Sequence, residues 1–249
     1  MVPVVAVASG KGGVGKTSVA VALARELVRR GRKTGLLDAD LHGPDVPRML
    51  GIRRDRTARS VTLTAVKGAR NAELEAVDVD GLKVASVGFL LGGTQGLTMA
   101  GPFAELMLGR LVKQTIWGDL EVLIADLPPG TGEVQQGLVT LSDAVSAVLV
   151  VTPAEVSHLD TSRAIAVLRQ ADVPLLGGVE NMAYVLCPHC GQRTVLHTPA
   201  PEDRTIWALG VPKLAGIPFR TDAVVTAEDV GPVADAVEAQ LGNPSRYGT

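Results

Sequence analysis

The sequence predicts an α/β fold in which a mostly parallel sheet carries helices on both faces. Three observations predict it. Short β-branched runs alternate with helical segments along most of the chain. The strand-like runs are continuously apolar, as strands covered on both faces must be. A glycine-rich loop, Gly10 to Ser18, separates the first such run from the first helical pattern.

Taken in order, Val2–Ala8 reads as a buried strand, and the glycine loop follows it. Lys16–Arg30 reads as a helix, with Val19, Ala20, Leu23, Leu27 and Val28 at helical spacing and Gly31 as its stop. Thr34–Leu37 is the next strand and runs into Asp38-Ala39-Asp40. The segment 43–81 is the least regular, with one weak strand at Val61–Val66. Leu82–Val87 reads as a strand, Gly88–Pro102 as a loop and Phe103–Trp117 as a helix. Glu121–Ala125 is a strand ending at Asp126, and Ala144–Val151 is another. A helix over Glu155–Gln170 and a strand over Leu175–Glu180 follow. The final third holds a short helix, the strand Lys213–Ile217 and a helix near Val233–Leu241. No repeat or linker interrupts the pattern, so residues 1–249 read as one domain. Right-handed crossovers between parallel strands put the strand C-terminal ends on one edge, where Gly10, Asp38 and Asp126 should gather.

Composition narrows the function. The chain has 249 residues, 46% of them hydrophobic, and a net charge of −2, which gives no global field toward nucleic acid or anionic lipid. Aromatics are only 3%, too few for a base-stacking platform as the main activity. No apolar run approaches the roughly 20 residues of a membrane span, and the N-terminus lacks a secretory pattern. We therefore expect a cytoplasmic protein that binds neither nucleic acid nor membrane.

Gly10-Lys11-Gly12-Gly13-Val14-Gly15-Lys16-Thr17, followed by Ser18, fits the phosphate-binding loop pattern G-x-x-x-x-G-K-[ST]. Its glycines let backbone N–H groups turn toward phosphate oxygens. Lys16 can reach the terminal phosphates, the Thr17 hydroxyl can ligate Mg²⁺, and the helix start adds positive potential. Such a loop needs an acidic group for Mg²⁺, usually through water, and a polar group to place the attacking water. Asp126, ending an apolar strand, suits the first task, and Asp40 suits the second.

Cys187-Pro188-His189-Cys190 is a C-x-x-C followed by Gly191. Two thiolates at this spacing can share one metal or cluster, but they do not complete a four-thiolate shell. A symmetric dimer can complete it. Four readings stay open on these residues: an iron–sulfur cluster across a dimer, zinc across a dimer, zinc within one chain helped by His189 or His197, and a redox dithiol.

The combined motifs resemble the Mrp/ApbC family, the iron–sulfur cluster carrier ATPases of the MinD-like (SIMIBI) group. The residues that carry the resemblance are Ser9–Thr17, Asp38-Ala39-Asp40 with Gly43-Pro44, and Asp126-Leu127-Pro128-Pro129-Gly130-Thr131-Gly132. It continues through Gly101-Pro102, Thr152-Pro153, Val179-Glu180-Asn181-Met182 and the cysteine motif. The resemblance implies that Lys11 is a signature lysine reaching the partner subunit's nucleotide in an ATP-bound homodimer. It implies that Asp40 orients the hydrolytic water, that Asp38 and Asp126 lie near the Mg²⁺ shell, and that Asn181 contacts adenine. It implies a 4Fe-4S cluster bridging two subunits at Cys187 and Cys190, delivered to apo iron–sulfur proteins at the cost of slow ATP hydrolysis. Alternatives are a positioning ATPase like MinD or ParA and a zinc-bridged nucleotide switch. Three departures from the family pattern stand out. The first strand opens at Val2, so we expect no small preceding domain; Leu196–Pro201 replaces a glycine-rich stretch; and Gly132-Glu133 replaces Gly-Asp.

Overall fold

In the computed structural model the described residues are 2–40, 43–52, 74–86, 89, 109, 111–130, 144–196, 198–221 and 224–242. The expected strand at Val61–Val66, most of the loop at 88–102, the first part of the expected helix over 103–117, and His42, Thr131, Gly132, Glu133 and His197 lie outside them.

The first strand, β1 (Val4–Ala8), is buried at every residue, and its Val-Val-Ala-Val-Ala sequence suits a strand sandwiched between two helical layers. Helix α1 (Lys16–Arg29) starts from Gly15, whose left-handed backbone (φ 83°) is the conformation glycine adopts without penalty. It ends where Gly31 turns left-handed (φ 85°) and its N–H bonds back to Val28. Then come β2 (Thr34–Asp38), the single-turn α2 (Val46–Met49), β3 (Leu74–Glu75), β4 (Val77–Val79) and β5 (Leu82–Ser86). β6 (Thr115–Ile116), β7 (Val122–Asp126), β8 (Val145–Val151) and α3 (Glu155–Gln170) follow. β9 (Leu175–Glu180), β10 (Val185–Leu186), β11 (Arg193–Thr194), β12 (Lys213–Gly216) and α4 (Ala227–Leu241) complete the described order.

The main sheet has eight strands in the order β12-β9-β8-β1-β7-β2-β5-β4. All of its pairings are parallel except the edge pair β4–β5. That pair is a hairpin that sequence reading missed, closed by Asp80-Gly81, both with positive φ. Val5, Val7, Leu36, Ile124, Val148 and Val150 pack on one face against α1 and α4. Ala6, Ala8, Leu37, Ala125, Leu149 and Val151 face the other side, against Ile165 and Leu168 of α3. The expected parallel sheet with helices on both faces is what the chain forms.

Two expectations need correction. The expected helix over 103–117 does not run to its predicted end: 111–113 are helical, but Thr115–Ile116 form β6, parallel to β3. Thr115 turns its hydroxyl back onto the Leu111 carbonyl, and the β-branched pair leaves the helix there. The last helix begins at Ala227 rather than near Val233. A capping box between Thr226 and Asp229 fixes the early start, and Pro232 is tolerated inside the helix.

Candidate functional site: a phosphate cradle beside a cysteine hairpin

The parallel register gathers the predicted residues at one sheet edge. Asp38 and Asp126 are direct partners across β2 and β7, and Asp126 also pairs with Val7 of β1. The glycine loop therefore leaves β1 beside both carboxylates. Ser9, Lys11–Ser18, Asp40, Asp45, Arg48 and Pro129 line a cavity of about 550 Å³.

The loop is held from several sides. The Gly10 N–H donates to Thr161 Oγ1 of α3 at 3.1 Å. A Cβ at Gly10 would lie 2.2 Å from the Asp160–Thr161 backbone, so only glycine allows this approach. The Gly130 N–H donates to the Ser9 carbonyl, tying the segment after β7 to the loop. Asn181 Nδ2 donates to the Val14 carbonyl at 2.8 Å, and a Cβ at Gly15 would collide with that amide at 2.1 Å. Thr161 is a supporting residue that sequence reading did not single out. Its position on the buried face of α3 gave no signal of contact with a loop 151 residues away.

Lys16 Nζ donates to Asp126 Oδ1 at 2.5 Å, and both side chains are buried. Burial raises the Asp126 pKa, and the Lys16 charge and the Thr17 hydroxyl oppose that rise. Asp126 Oδ2 is buried with no hydrogen-bond partner among the described residues. A carboxylate oxygen without a partner, beside a threonine hydroxyl at a phosphate cradle, fits a hydrated Mg²⁺ ion. Asp38 is equally buried and accepts from Ser86 Oγ at 2.8 Å and from the backbone N–H groups of Val46 and Asp40, each at 3.3 Å. Burial, then the neighbouring Asp126 charge, push its pKa up to about 8, while hydrogen bonds from the Ser86 hydroxyl and the Asp40 N–H pull it down. Asp38 thus anchors both α2 and the backbone of Asp40. Asp40 lines the cavity and accepts from the Gly43 N–H at 3.2 Å. Lys11 lines the same cavity and makes no ion pair with a described residue.

β9 ends in Glu180, and Asn181 and Met182 at the cradle lead within a few residues into the hairpin β10–β11. Cys187 and Cys190 sit at its tip as free thiols, Cys190 exposed. The Cys187 N–H bonds Gln192, and the Gly191 N–H bonds Cys187, closing a tight turn with Gly191 left-handed. The backbone N–H groups of Cys190 and His189, with the Cys190 side chain, lower the Cys187 pKa and so favour its thiolate. No group of three or more metal-ligand side chains occurs among the described residues, and the hairpin tip carries two free cysteines.

A family model described as NUBPL iron-transfer P-loop NTPase matches residues 1–243. The chain belongs to that family. The NUBPL-type chain is 43% identical over 188 residues to an iron–sulfur cluster carrier protein of Deinococcus radiodurans, covering 76% of this chain and 51% of that one. It is 35% identical over 233 residues to a carrier of the same name from Pseudomonas fragi, covering 94% of this chain and 78% of that one. It spans about half the length of several curated relatives it matches. Among solved structures, an Archaeoglobus fulgidus nucleotide-binding protein in complex with ADP superimposes with a TM-score of 0.72 at 32% identity, covering 93% of this chain and 87% of that one. Pyrococcus furiosus MinD, a cell division ATPase, shares the fold at 21% identity and TM-score 0.64, covering 96% of this chain and 99% of that one. The expected Mrp/ApbC-type carrier family and MinD-like P-loop fold are both borne out, and this family member is a nucleotide-binding P-loop NTPase by fold. No helix among its described residues is long and apolar enough to cross a membrane.

Proposed function

We propose that the chain is an ATP-hydrolysing carrier that holds an iron–sulfur cluster between two copies of itself and passes it to apo-proteins. One observation carries the reading. The strand end that supplies Asn181 and Met182 to the phosphate cradle continues directly into a hairpin presenting two free thiols, one favoured as thiolate. Nucleotide and cysteine chemistry therefore share one short stretch of chain.

The roles follow from chemistry and position. Backbone N–H groups of Gly12–Thr17 and the Lys16 ammonium would bind the phosphates. Thr17 would ligate Mg²⁺, and Asp126 would hold one of its waters; the ion would neutralise charge on the transferring phosphoryl group. Asp40, anchored through Asp38, would orient the attacking water, and Asn181 would meet adenine. Lys11 would reach the partner copy's nucleotide, so hydrolysis and a shared cluster would require the same homodimer. Four thiolates, two from each copy, match the shell of a 4Fe-4S cargo. The names of the relatives support the cargo, and the ADP complex supports the nucleotide.

The test is anaerobic reconstitution with iron and sulfide, comparing the wild type with the Cys187→Ala/Cys190→Ala variant. We expect about four irons per dimer in the wild type, lost in the variant, with transfer to an apo-acceptor. One zinc per dimer and no stable cluster would sink the carrier reading and leave a zinc-bridged nucleotide switch.

A further inference from the structure

The phosphate cavity continues into a smaller recess of about 70 Å³, with Gly15, Ser18 and Met182 lining both. One wall of the recess is Asn181 and Met182. The other is a strap between β12 and α4 that contributes Pro218, Phe219, Arg220, Val224 and Val225. Apart from Arg220 this wall is apolar, and two of its side chains stand open: Phe219 is 41% and Val224 54% exposed. Apolar surface bordering a phosphate cradle is what the flat face of a nucleobase would cover.

No regular secondary structure holds the described residues of the strap between Pro218 and Val225. The Asp229 carboxylate of α4 is one of the strap's anchors. Arg220 grips Asp229 with both guanidinium nitrogens, Nη1 to Oδ2 at 2.6 Å and Nη2 to Oδ1 at 3.1 Å. The same Arg220 Nη1 donates to the Val224 carbonyl at 3.3 Å, crossing from one end of the strap to the other. Asp229 is also the capping-box residue of α4: its Oδ2 accepts from the Thr226 N–H and hydroxyl, each at 2.8 Å. Its side chain is only 9% exposed, so the fork is shielded from water on the carboxylate side. The Phe219 N–H donates to the Tyr184 carbonyl, which joins the strap to the chain leading to the cysteine hairpin.

We propose that Arg220 and Asp229 are a positioning pair for the nucleotide base, holding Pro218–Arg220 and Val224-Val225 as the second wall of the base pocket. Neither residue lines the phosphate cavity. The pair acts through the strap, using the rigid start of α4 as its anchor. A bidentate, partly buried guanidinium–carboxylate fork fixes direction as well as distance. This inference rests on the nucleotide reading of the cradle and adds what holds one wall of the base site.

The test separates base from phosphate. Isothermal titration of the full chain with Mg–ADP and with Mg–tripolyphosphate, which has no base, is run on wild type, Arg220→Ala and Arg220→Lys. We expect Arg220→Ala to weaken ADP about tenfold while tripolyphosphate changes less than about twofold, with part of the loss recovered in Arg220→Lys. Equal weakening of both ligands, or unchanged ADP affinity, would overturn the pair's role. Should Arg220→Ala fail to fold, Asp229→Asn retains a capping oxygen, removes the charge, and must show the same selective loss. A wild type that binds ADP no better than tripolyphosphate would overturn the base pocket itself, an outcome distinct from failure of the fork.

Discussion

Lys16 and Asp126 lie 110 residues apart in the chain yet form a 2.5 Å ion pair, with side chains 6% and 0% exposed. The pair places the ammonium proposed to bind phosphate beside the carboxylate proposed to hold a water of Mg²⁺. Each neutralises the other, which spares the fold two unpaired buried charges. Phosphate would compete for Lys16, and hydrated Mg²⁺ would replace it at Asp126.

Lys16→Ala should therefore do more than abolish nucleotide binding. It removes the partner of a buried carboxylate, and breaking such a pair costs about 3–5 kcal/mol where the remaining charge is retained. Burial raises the Asp126 pKa, so in the variant the carboxyl escapes part of that cost by taking a proton. The destabilisation should then shrink toward low pH and grow as pH rises. Urea unfolding of wild type and variant at pH 5 and pH 8 measures it.

The loop's anchoring gives a second expectation. Gly10→Ala forces a Cβ to 2.2 Å from the backbone of α3, which cannot give way as a side-chain tip would. We expect a loss of about 2–3 kcal/mol and weakened phosphate binding. Thr161→Ala strands the Gly10 N–H and should cost about 1 kcal/mol. Chemical denaturation paired with tripolyphosphate titration reads both effects. Equal affinity in Gly10→Ala would contradict the role of this close approach.

On the opposite end of α1, Glu26 receives Arg29 and Arg30, and Arg30 reaches on to Asp235 and Glu238 of α4. Hydrogen bonding to Arg29, with further help from Arg30, holds the Glu26 pKa down to about 2, against its ordinary value of 4.5. A lowered folded pKa contributes stability that is present above pH 4.5 and lost as pH falls toward 2. Glu26→Gln should flatten the fall of Tm between pH 5 and pH 2. An unchanged slope would assign acid sensitivity elsewhere.

The cysteine hairpin makes a chemical prediction. Backbone N–H groups lower the Cys187 pKa, so Cys187 should alkylate with iodoacetamide at lower pH than an ordinary thiol. In the Cys190→Ala variant the backbone donors remain, and Cys187 should keep most of that reactivity. Because the tip is largely exposed, neither cysteine variant should move Tm by more than about 2 °C, in line with surface substitutions.

Hydrolysis and binding should separate at Asp40. This residue lines the cavity, and its chain position is set by the Asp38 contact to its N–H. We expect Asp40→Ala to cut ATP turnover by at least about 100-fold while ADP affinity changes little. Parallel loss of both would remove Asp40 from the water-positioning role.

Much of the site was legible because its chemistry is local. Gly10–Ser18 reads as a phosphate cradle since a strand, a glycine turn and a helix start follow one another without interruption. The C-x-x-C needs only a turn to bring two sulfurs together. Strands such as Leu175–Glu180 and the helix Glu155–Gln170 were legible to the residue, because apolar period and boundary residues agree there. The β6 strand was not: Thr115–Ile116 gains its identity from pairing with Leu74–Glu75, which no local pattern announces.

The sequence by itself determined the α/β class, the cradle, the acidic strand ends and the thiol pair, because each rests on residue types at short fixed spacing. Only the tertiary structure decided which of these meet. Parallel register set Asp38 beside Asp126, helix α3 brought Thr161 under Gly10, and α4 lent Asp229 to Arg220. Such contacts join residues far apart in the chain, and their geometry comes from packing of whole layers rather than from any segment's own preference.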